Sequence, residues 1–128
     1  MRQVACACGR LTAKMEGDPI RVSLCHCEAC RVLSGSAFSW NARYEAETVT
    51  LTGSSKVWTR RGDEGSLITN HFCPDCGVTL YYTNDQLPGM VMVRVGTLDS
   101  PRPAPEVSVY DDRRPDWLGL EGDIERWT

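Results

Sequence analysis

A chain of 128 residues, 41% hydrophobic and 24% charged, has the make-up of a folded protein with one core, and this excludes a disordered or fibrous polymer. Fourteen basic against seventeen acidic residues leave a net charge of −3, which argues against nucleic acid or an anionic membrane as the main partner. No apolar run reaches the length of a membrane span, and the start MRQVACACGR lacks the apolar stretch of a signal peptide, so the expected compartment is the reducing cytoplasm.

In chain order, Gln3–Ala7 and Leu11–Met15 read as the arms of a hairpin around Cys8-Gly9. Ile20–Leu24 is a short strand running into Cys25-His26-Cys27-Glu28-Ala29-Cys30. Glu28–Leu33 suits a short helix, with Glu28 in its first turn and Ser34-Gly35 at its end. Strands follow at Ala37–Tyr44, Thr48–Thr52, Lys56–Arg60, Ser66–Phe72, Thr79–Thr83, Val91–Val95 and Glu106–Tyr110, separated by Gly, Asn, Asp and Pro. Val91, Val93 and Val95 alternate with Met92 and Arg94, the pattern of a half-buried strand. The Pro-rich stretch from Ser100 to Pro105 is a stiff connection, and the tail from Asp111 to Thr128 is expected to pack irregularly. With no repeat or linker, residues 1–128 read as a single domain: a small antiparallel β-protein with little helix. Exposed strand edges leave room for a homodimer.

The seven cysteines are the anomaly of this composition. An odd number cannot be fully paired as disulfides within one chain, and the cytoplasm disfavours such bonds. None stands alone: they form Cys6-x-Cys8, the Cys25/Cys27/Cys30 cluster, and Cys73-Pro-Asp-Cys76. These are metal-ligand spacings, and zinc is the natural occupant, with an iron–sulfur cluster as the minor alternative. A structural zinc takes four protein ligands, and a catalytic zinc takes three and keeps one position open. Seven divides as four plus three: Cys6, Cys8, Cys73 and Cys76 around a structural zinc, and Cys25, Cys27 and Cys30 around a catalytic one. A competing assignment joins Cys27 and Cys30 to Cys73 and Cys76 in one ribbon, leaving three free thiols. Gly9 and Gly77, each directly after a pair, suit turns that aim amide groups at sulfur.

The ordered set Cys6-x-Cys8-Gly9, CHCEACR at Cys25–Arg31, Gly35-Ser-Ala-Phe38, Phe72-Cys-Pro-Asp-Cys-Gly77, Gly96-Thr-Leu-Asp99 and Pro115-Asp-Trp117 resembles the glutathione-dependent formaldehyde-activating enzyme (GFA) family. Relatives of that fold include a chromatin-associated protein, the CENP-V domain. The resemblance implies a β-tent of two sheets, two zinc ions on the four-plus-three ligand sets, and carbon–sulfur lyase chemistry on a glutathione adduct of formaldehyde.

Three thiolates around a dication leave a net-negative shell, which weakens water activation and favours a soft thiol as fourth ligand. Such a thiol is held as a nucleophile near neutral pH. Its attack on a small aldehyde gives a hemithioacetal, and the reverse is the lyase step. The expected function is therefore a zinc-dependent lyase acting on a thiol adduct; the alternative is a non-catalytic thiol carrier or interaction module. Among the neighbours, His26 is expected to point away from the ligands and His71 to be structural. Arg31, directly after the last ligand, reads equally as an offset to the negative shell or partner for a substrate carboxylate and as a solvated or structural arginine. Ser34 and Ser36 read as turn residues, Arg60-Arg61 and Arg113-Arg114 as solvated turns, and Trp40, Trp58, Trp117 and Trp127 as packing residues.

Overall fold

The computed structural model describes residues Met1–Thr128. Eleven strands and one short helix follow each other in the order β1 (Arg2–Ala5), β2 (Thr12–Met15), β3 (Arg21–Cys25), α1 (Glu28–Ser34), β4 (Ser39–Glu45), β5 (Val49–Thr52), β6 (Lys56–Arg61), β7 (Leu67–Phe72), β8 (Thr79–Asn84), β9 (Met90–Arg94), β10 (Val107–Val109) and β11 (Glu125–Arg126). A three-stranded sheet has the order β1-β2-β5, and an eight-stranded sheet has the order β11-β10-β3-β4-β9-β8-β7-β6. The expected mostly-β architecture of two sheets is what forms.

The alternation of each strand decides which face it buries. Ala13 and Met15 of the small sheet meet Ala42, Tyr44, Leu80, Val91 and Val93 of the large one, with Val4, Leu11, Val95 and Leu98 completing the core between the sheets. Residues one position out of phase lie on the opposite face of the large sheet. Register places Cys25 opposite Ser39, Asn41 opposite Arg94, Asn70 opposite Tyr82, and Arg60 opposite Ile68. That second face is polar: Ser39, Asn41 and Asn70 are buried there without belonging to the apolar core.

The sheet departs from a purely antiparallel plan at one edge. β10 runs parallel to β3, and β11 parallel to β10. The cause is connectivity: β9 pairs with β4 and is separated by it from β3, and the long Pro-rich connection carries the chain across before it lies beside β3. The tail is also more regular than expected. Glu125 and Trp127 donate backbone hydrogen bonds to the Glu106 and Ser108 carbonyls, and Asp111 N–H donates to the Trp127 carbonyl. The Trp127 ring packs under the Arg21 guanidinium at 4.8 Å and, like Trp58 and Trp117, remains exposed.

Candidate functional site

Two turns of the same design build one sulfur cluster. Gly9 N–H donates to the Cys6 carbonyl at 3.1 Å, and Gly77 N–H donates to the Cys73 carbonyl at 2.8 Å. Both glycines sit at φ 80°, where a side chain would be strained, and the chain turns back so that Cys6 N–H reaches Leu11 O and Cys73 N–H reaches Val78 O. A register shift between His71 and Phe72 precedes the second turn and re-aims the strand end that carries Cys73. The four sulfurs of Cys6, Cys8, Cys73 and Cys76 lie within 4.8 Å of one another. Cys8 Sγ is 3.6 Å from the sulfurs of both Cys6 and Cys73. A tetrahedron with metal–sulfur bonds of about 2.3 Å has edges of about 3.8 Å, so the donor set fits a four-coordinate thiophilic ion. Leu11 N–H also donates to Cys6 Sγ at 3.3 Å. Burial raises the Cys6 thiol, but that amide and the neighbouring sulfurs outweigh it and bring it down to about 6; the Arg10 amide lowers Cys8, but burial and the neighbouring sulfurs outweigh it and hold Cys8 up at about 11. Cys6 and Cys73 belong to the apolar core, and this cluster ties the β1–β2 hairpin of one sheet to the β7–β8 turn of the other.

The second cluster grows from the end of β3. Cys25 is its last residue, Cys27 is the N-cap of α1, and Cys30 lies in the first helical turn. Cys27 Sγ accepts the Cys30 N–H at 3.4 Å, and Gly35 closes the helix in the left-handed conformation with its N–H on Arg31 O. The sulfurs of Cys25, Cys27 and Cys30 lie within 4.8 Å of one another. The sulfurs of Cys25 and Cys30 pull the Cys27 thiol down to about 2, helped by the Cys30 amide and the charge of Arg60, while Cys27 and Cys30 push Cys25 far up. Three thiolates this close repel one another, and a dication relieves that repulsion, so this donor set also fits a metal ion. The ribbon pairing of Cys27 and Cys30 with Cys73 and Cys76 does not form here; the sulfurs group as four and three.

The surroundings of the two clusters differ. Cys25, Cys27 and Cys30 line a cleft of about 750 Å³ over the polar face of the large sheet, and none of the other four cysteines lines it. Arg21, Arg60, Arg61, Arg94 and Arg113 line the same cleft, against the acids Glu28, Asp63 and Glu64. Tyr110, a non-glycine residue at φ 53°, donates its hydroxyl to Asp63 Oδ2 at 2.9 Å and so joins the β6–β7 turn to the end of β10 across the cleft.

His26 is fully buried and outside both clusters. Its Nε2 stands 2.9 Å from Ser108 Oγ, which donates to Asp111 Oδ1 at 2.8 Å; the imidazole Nε2–H is therefore the donor to Ser108. Asp111 Oδ1 also accepts from Arg114 Nε at 3.3 Å and Arg126 at 3.1 Å. This relay anchors the loop between Cys25 and Cys27 to the C-terminal segment. His71 stacks on Tyr81 at 4.3 Å and bonds Ser55, a packing role. Arg31 is exposed and does not line the cleft, Arg114 is held by Asp111, and Ser34 Oγ donates to Phe38 O within the turn after α1. Arg60 and Arg61, read from sequence as a solvated turn, end strand β6, and they and the exposed Arg113 line the cleft, because the end of β6 and the segment after β10 both border it. Sequence reasoning missed Arg94, Ser108 and Asp111; the only signal for the first two was their polarity within otherwise apolar strand contexts, and Asp111 is hidden in the polar run Asp111–Arg114.

A two-sheet β-protein carrying a four-thiol cluster rooted in its core and a three-thiol cluster at a cationic cleft defines a class of thiol-rich β-folds with donor sets suited to metal ions. Residues 1–113 match the family described as glutathione-dependent formaldehyde-activating enzyme, and the chain belongs to that family. A Halomonas elongata protein named "Putative glutathione-dependent formaldehyde-activating enzyme" is 25% identical over 124 residues, covering 91% of this chain and 79% of that protein. A Schizosaccharomyces pombe protein named as an uncharacterized lyase is 29% identical over 85 residues, covering 65% of this chain and 59% of that protein. The crystal structure of a Rhodobacter sphaeroides protein shares the fold with a TM-score of 0.61 at 17% identity, covering 98% of this chain and 99% of the other. No helix is long and apolar enough to cross a membrane.

Proposed function

We propose that the chain works as one catalytic unit, a zinc-dependent carbon–sulfur lyase that makes or breaks the adduct of a glutathione-like thiol with a small aldehyde. The observation that carries this reading is the asymmetry of the two sulfur clusters: four sulfurs gather between the sheets, rooted in the core by Cys6 and Cys73 and away from the cleft, whereas the other three line it. Cys6, Cys8, Cys73 and Cys76 would hold a structural zinc, and Cys25, Cys27 and Cys30 a second ion with a position left for substrate. When bound there, zinc supplies a soft Lewis-acid position that favours sulfur over oxygen and lowers the pKa of a substrate thiol.

The chain's own residues do the rest. Cys27 caps α1 and Cys25 ends β3, so the donors are fixed by a helix terminus and a strand rather than by a loose loop. The His26–Ser108–Asp111 relay holds the intervening backbone from the side away from the cleft. The arginines make the cleft attractive to an anionic thiol. In the addition direction a sulfur–carbon bond forms, the carbonyl π bond breaks, and the thiol proton ends on the former carbonyl oxygen. The lyase direction reverses each change.

The reading is tested by measuring hemithioacetal exchange between glutathione and ¹³C-formaldehyde by NMR, with and without the zinc-loaded protein. Acceleration that disappears in Cys27→Ser is expected. Exchange at the uncatalysed rate, with glutathione nonetheless bound, would turn the assignment to the thiol-carrier reading.

A further inference from the structure

Arg94 ends β9 on the polar face of the large sheet and lines the cleft beside the three cysteines. Its NH1 donates to Asn41 Oδ1 at 2.7 Å, its NH2 donates to Asn70 Oδ1 at 3.3 Å, and its guanidinium lies 4.7 Å over the Tyr82 ring. Both amides are almost fully buried, Asn41 at 3% exposure and Asn70 at 2%. Their orientations are fixed in turn: Asn41 Nδ2 donates to Ser39 Oγ, and Asn70 Nδ2 to Trp58 O. Four strands thus position one half-buried cation with neutral acceptors only.

Withdrawing a cation from water is unfavourable unless an anion compensates it. The chain's four ion pairs join Arg2 to Asp99, Arg10 to Asp75, and Asp111 to Arg114 and Arg126. None involves a cleft arginine. Of the cleft acids, Asp63 already accepts the Tyr110 hydroxyl, and neither Glu28 nor Glu64 pairs with Arg94. Two of the five guanidinium N–H donors are used, and three remain. A planar fork locked from behind, with donors to spare, matches the two oxygens of a carboxylate.

The geometry points to Arg94 as the carboxylate anchor of the substrate, so that the site selects thiols that carry a carboxylate over neutral thiols of the same size. This inference rests on the thiol reading above and adds a specificity determinant to it. Tyr82, Arg94 and the three cysteines line the same cleft, which places anchor and sulfur cluster around one shared volume.

The test uses three matched probes on the zinc-loaded chain, with binding followed by titration calorimetry. N-acetylcysteine has thiol and carboxylate, N-acetylcysteamine only the thiol, and N-acetylalanine only the carboxylate. A charge-assisted bidentate pair corresponds to roughly tenfold or more in affinity, so N-acetylcysteine should bind at least about tenfold tighter than N-acetylcysteamine. Arg94→Gln should bring that ratio close to one and leave N-acetylcysteamine within about twofold of its wild-type affinity. Arg94→Lys retains the charge but not the fork, and should lose several-fold of the preference; it carries the test if the Gln variant does not fold. Retention of the full preference in the variants, or its absence in the wild type, would overturn the anchor while leaving thiol binding intact. Conversely, Arg94-dependent binding of N-acetylalanine with no binding of N-acetylcysteamine would uphold the anchor and sink the thiol reading.

Discussion

Replacing Cys8 by Ser removes one donor of the four-sulfur cluster and disturbs little else, because Cys8 is exposed while its sulfur stands 3.6 Å from two others. Cys73→Ser would be a poorer probe: at 0% exposure it would leave a hydroxyl in the apolar core, a penalty of roughly 1–3 kcal/mol with or without metal. Cys27→Ser is the matching cut in the other cluster, since serine is itself a strong helix N-cap and retains that role for α1. The magnitudes follow from chain topology. An ion shared by Cys8 and Cys73 cross-links positions 65 apart, which removes about 4 kcal/mol of unfolded-chain entropy. An ion shared by Cys25 and Cys30 closes a loop of only about five positions, worth roughly 2 kcal/mol by the same relation.

For a chain of 128 residues these values correspond to melting-temperature losses of about 15 °C for Cys8→Ser and about 7 °C for Cys27→Ser. The assay is thermal unfolding followed by circular dichroism, with zinc per chain measured by mass spectrometry. Each variant should lose one zinc. A strong chelator removes both cross-links from every protein, so under chelation the three melting curves should converge. Equal losses from the two substitutions, or a gap that survives chelation, would refute the division into a stapling cluster and a site cluster.

Two further outcomes follow from the buried polar groups. Burial raises Asp111, but Ser108, Arg114 and Arg126 outweigh it and hold the carboxyl below its usual range, so its ionised form stabilises the fold above the unfolded value of about 3.9 and that contribution is lost as pH falls through the lower folded value. Asp111→Asn should therefore destabilise by about 1–3 kcal/mol at pH 7, and urea titrations should show the gap to wild type closing below about pH 4. Tyr44 is buried at 2% exposure and its hydroxyl has no partner, so Tyr44→Phe should be neutral or raise stability by about 1 kcal/mol in the same titrations.

The cysteine clusters were legible because metal-ligand spacing is local: Cys25, Cys27 and Cys30 must meet whatever the fold, and Gly9 and Gly77 mark the turns that expose the other pairs. The strands were legible for the same reason, although the half-buried alternation expected of Val91–Val95 is only partly met: β9 spans Met90–Arg94 and buries Met92 on the second face as well as Val91 and Val93 on the first. Arg94 was not. Within its own strand it is merely the polar member of an alternation, and its role depends on Asn41, Asn70 and Tyr82 arriving from three other strands. His26 and Ser108 meet across 82 positions, through a parallel pairing that no local pattern announces. Arg31 shows the converse: adjacency to Cys30 in sequence turned it outward, because one helical step rotates a side chain by about 100°.

Register links these observations. On a sheet, moving a strand by one residue exchanges its two faces. In β3 the present register buries Val22 and Leu24 against the core and leaves Arg21 and Cys25 on the cleft. A slip would bury Cys25 between the sheets and break the three-sulfur group. The contacts that pin β3 are therefore part of the site even though they lie outside the cleft. Glu106 Oε1 accepts Val22 N–H at 3.1 Å, Glu106 N–H donates to Val22 O at 2.8 Å, and His26 N–H donates to Val109 O at 3.1 Å. All three come from the parallel edge formed by β10, which β11 covers in turn. The segment beyond the family match, from Arg114 onward, supports the cysteine loop indirectly and twice, by pairing β11 with β10 and by holding Asp111 through Arg114 and Arg126, and these polar contacts order a tail poor in apolar residues.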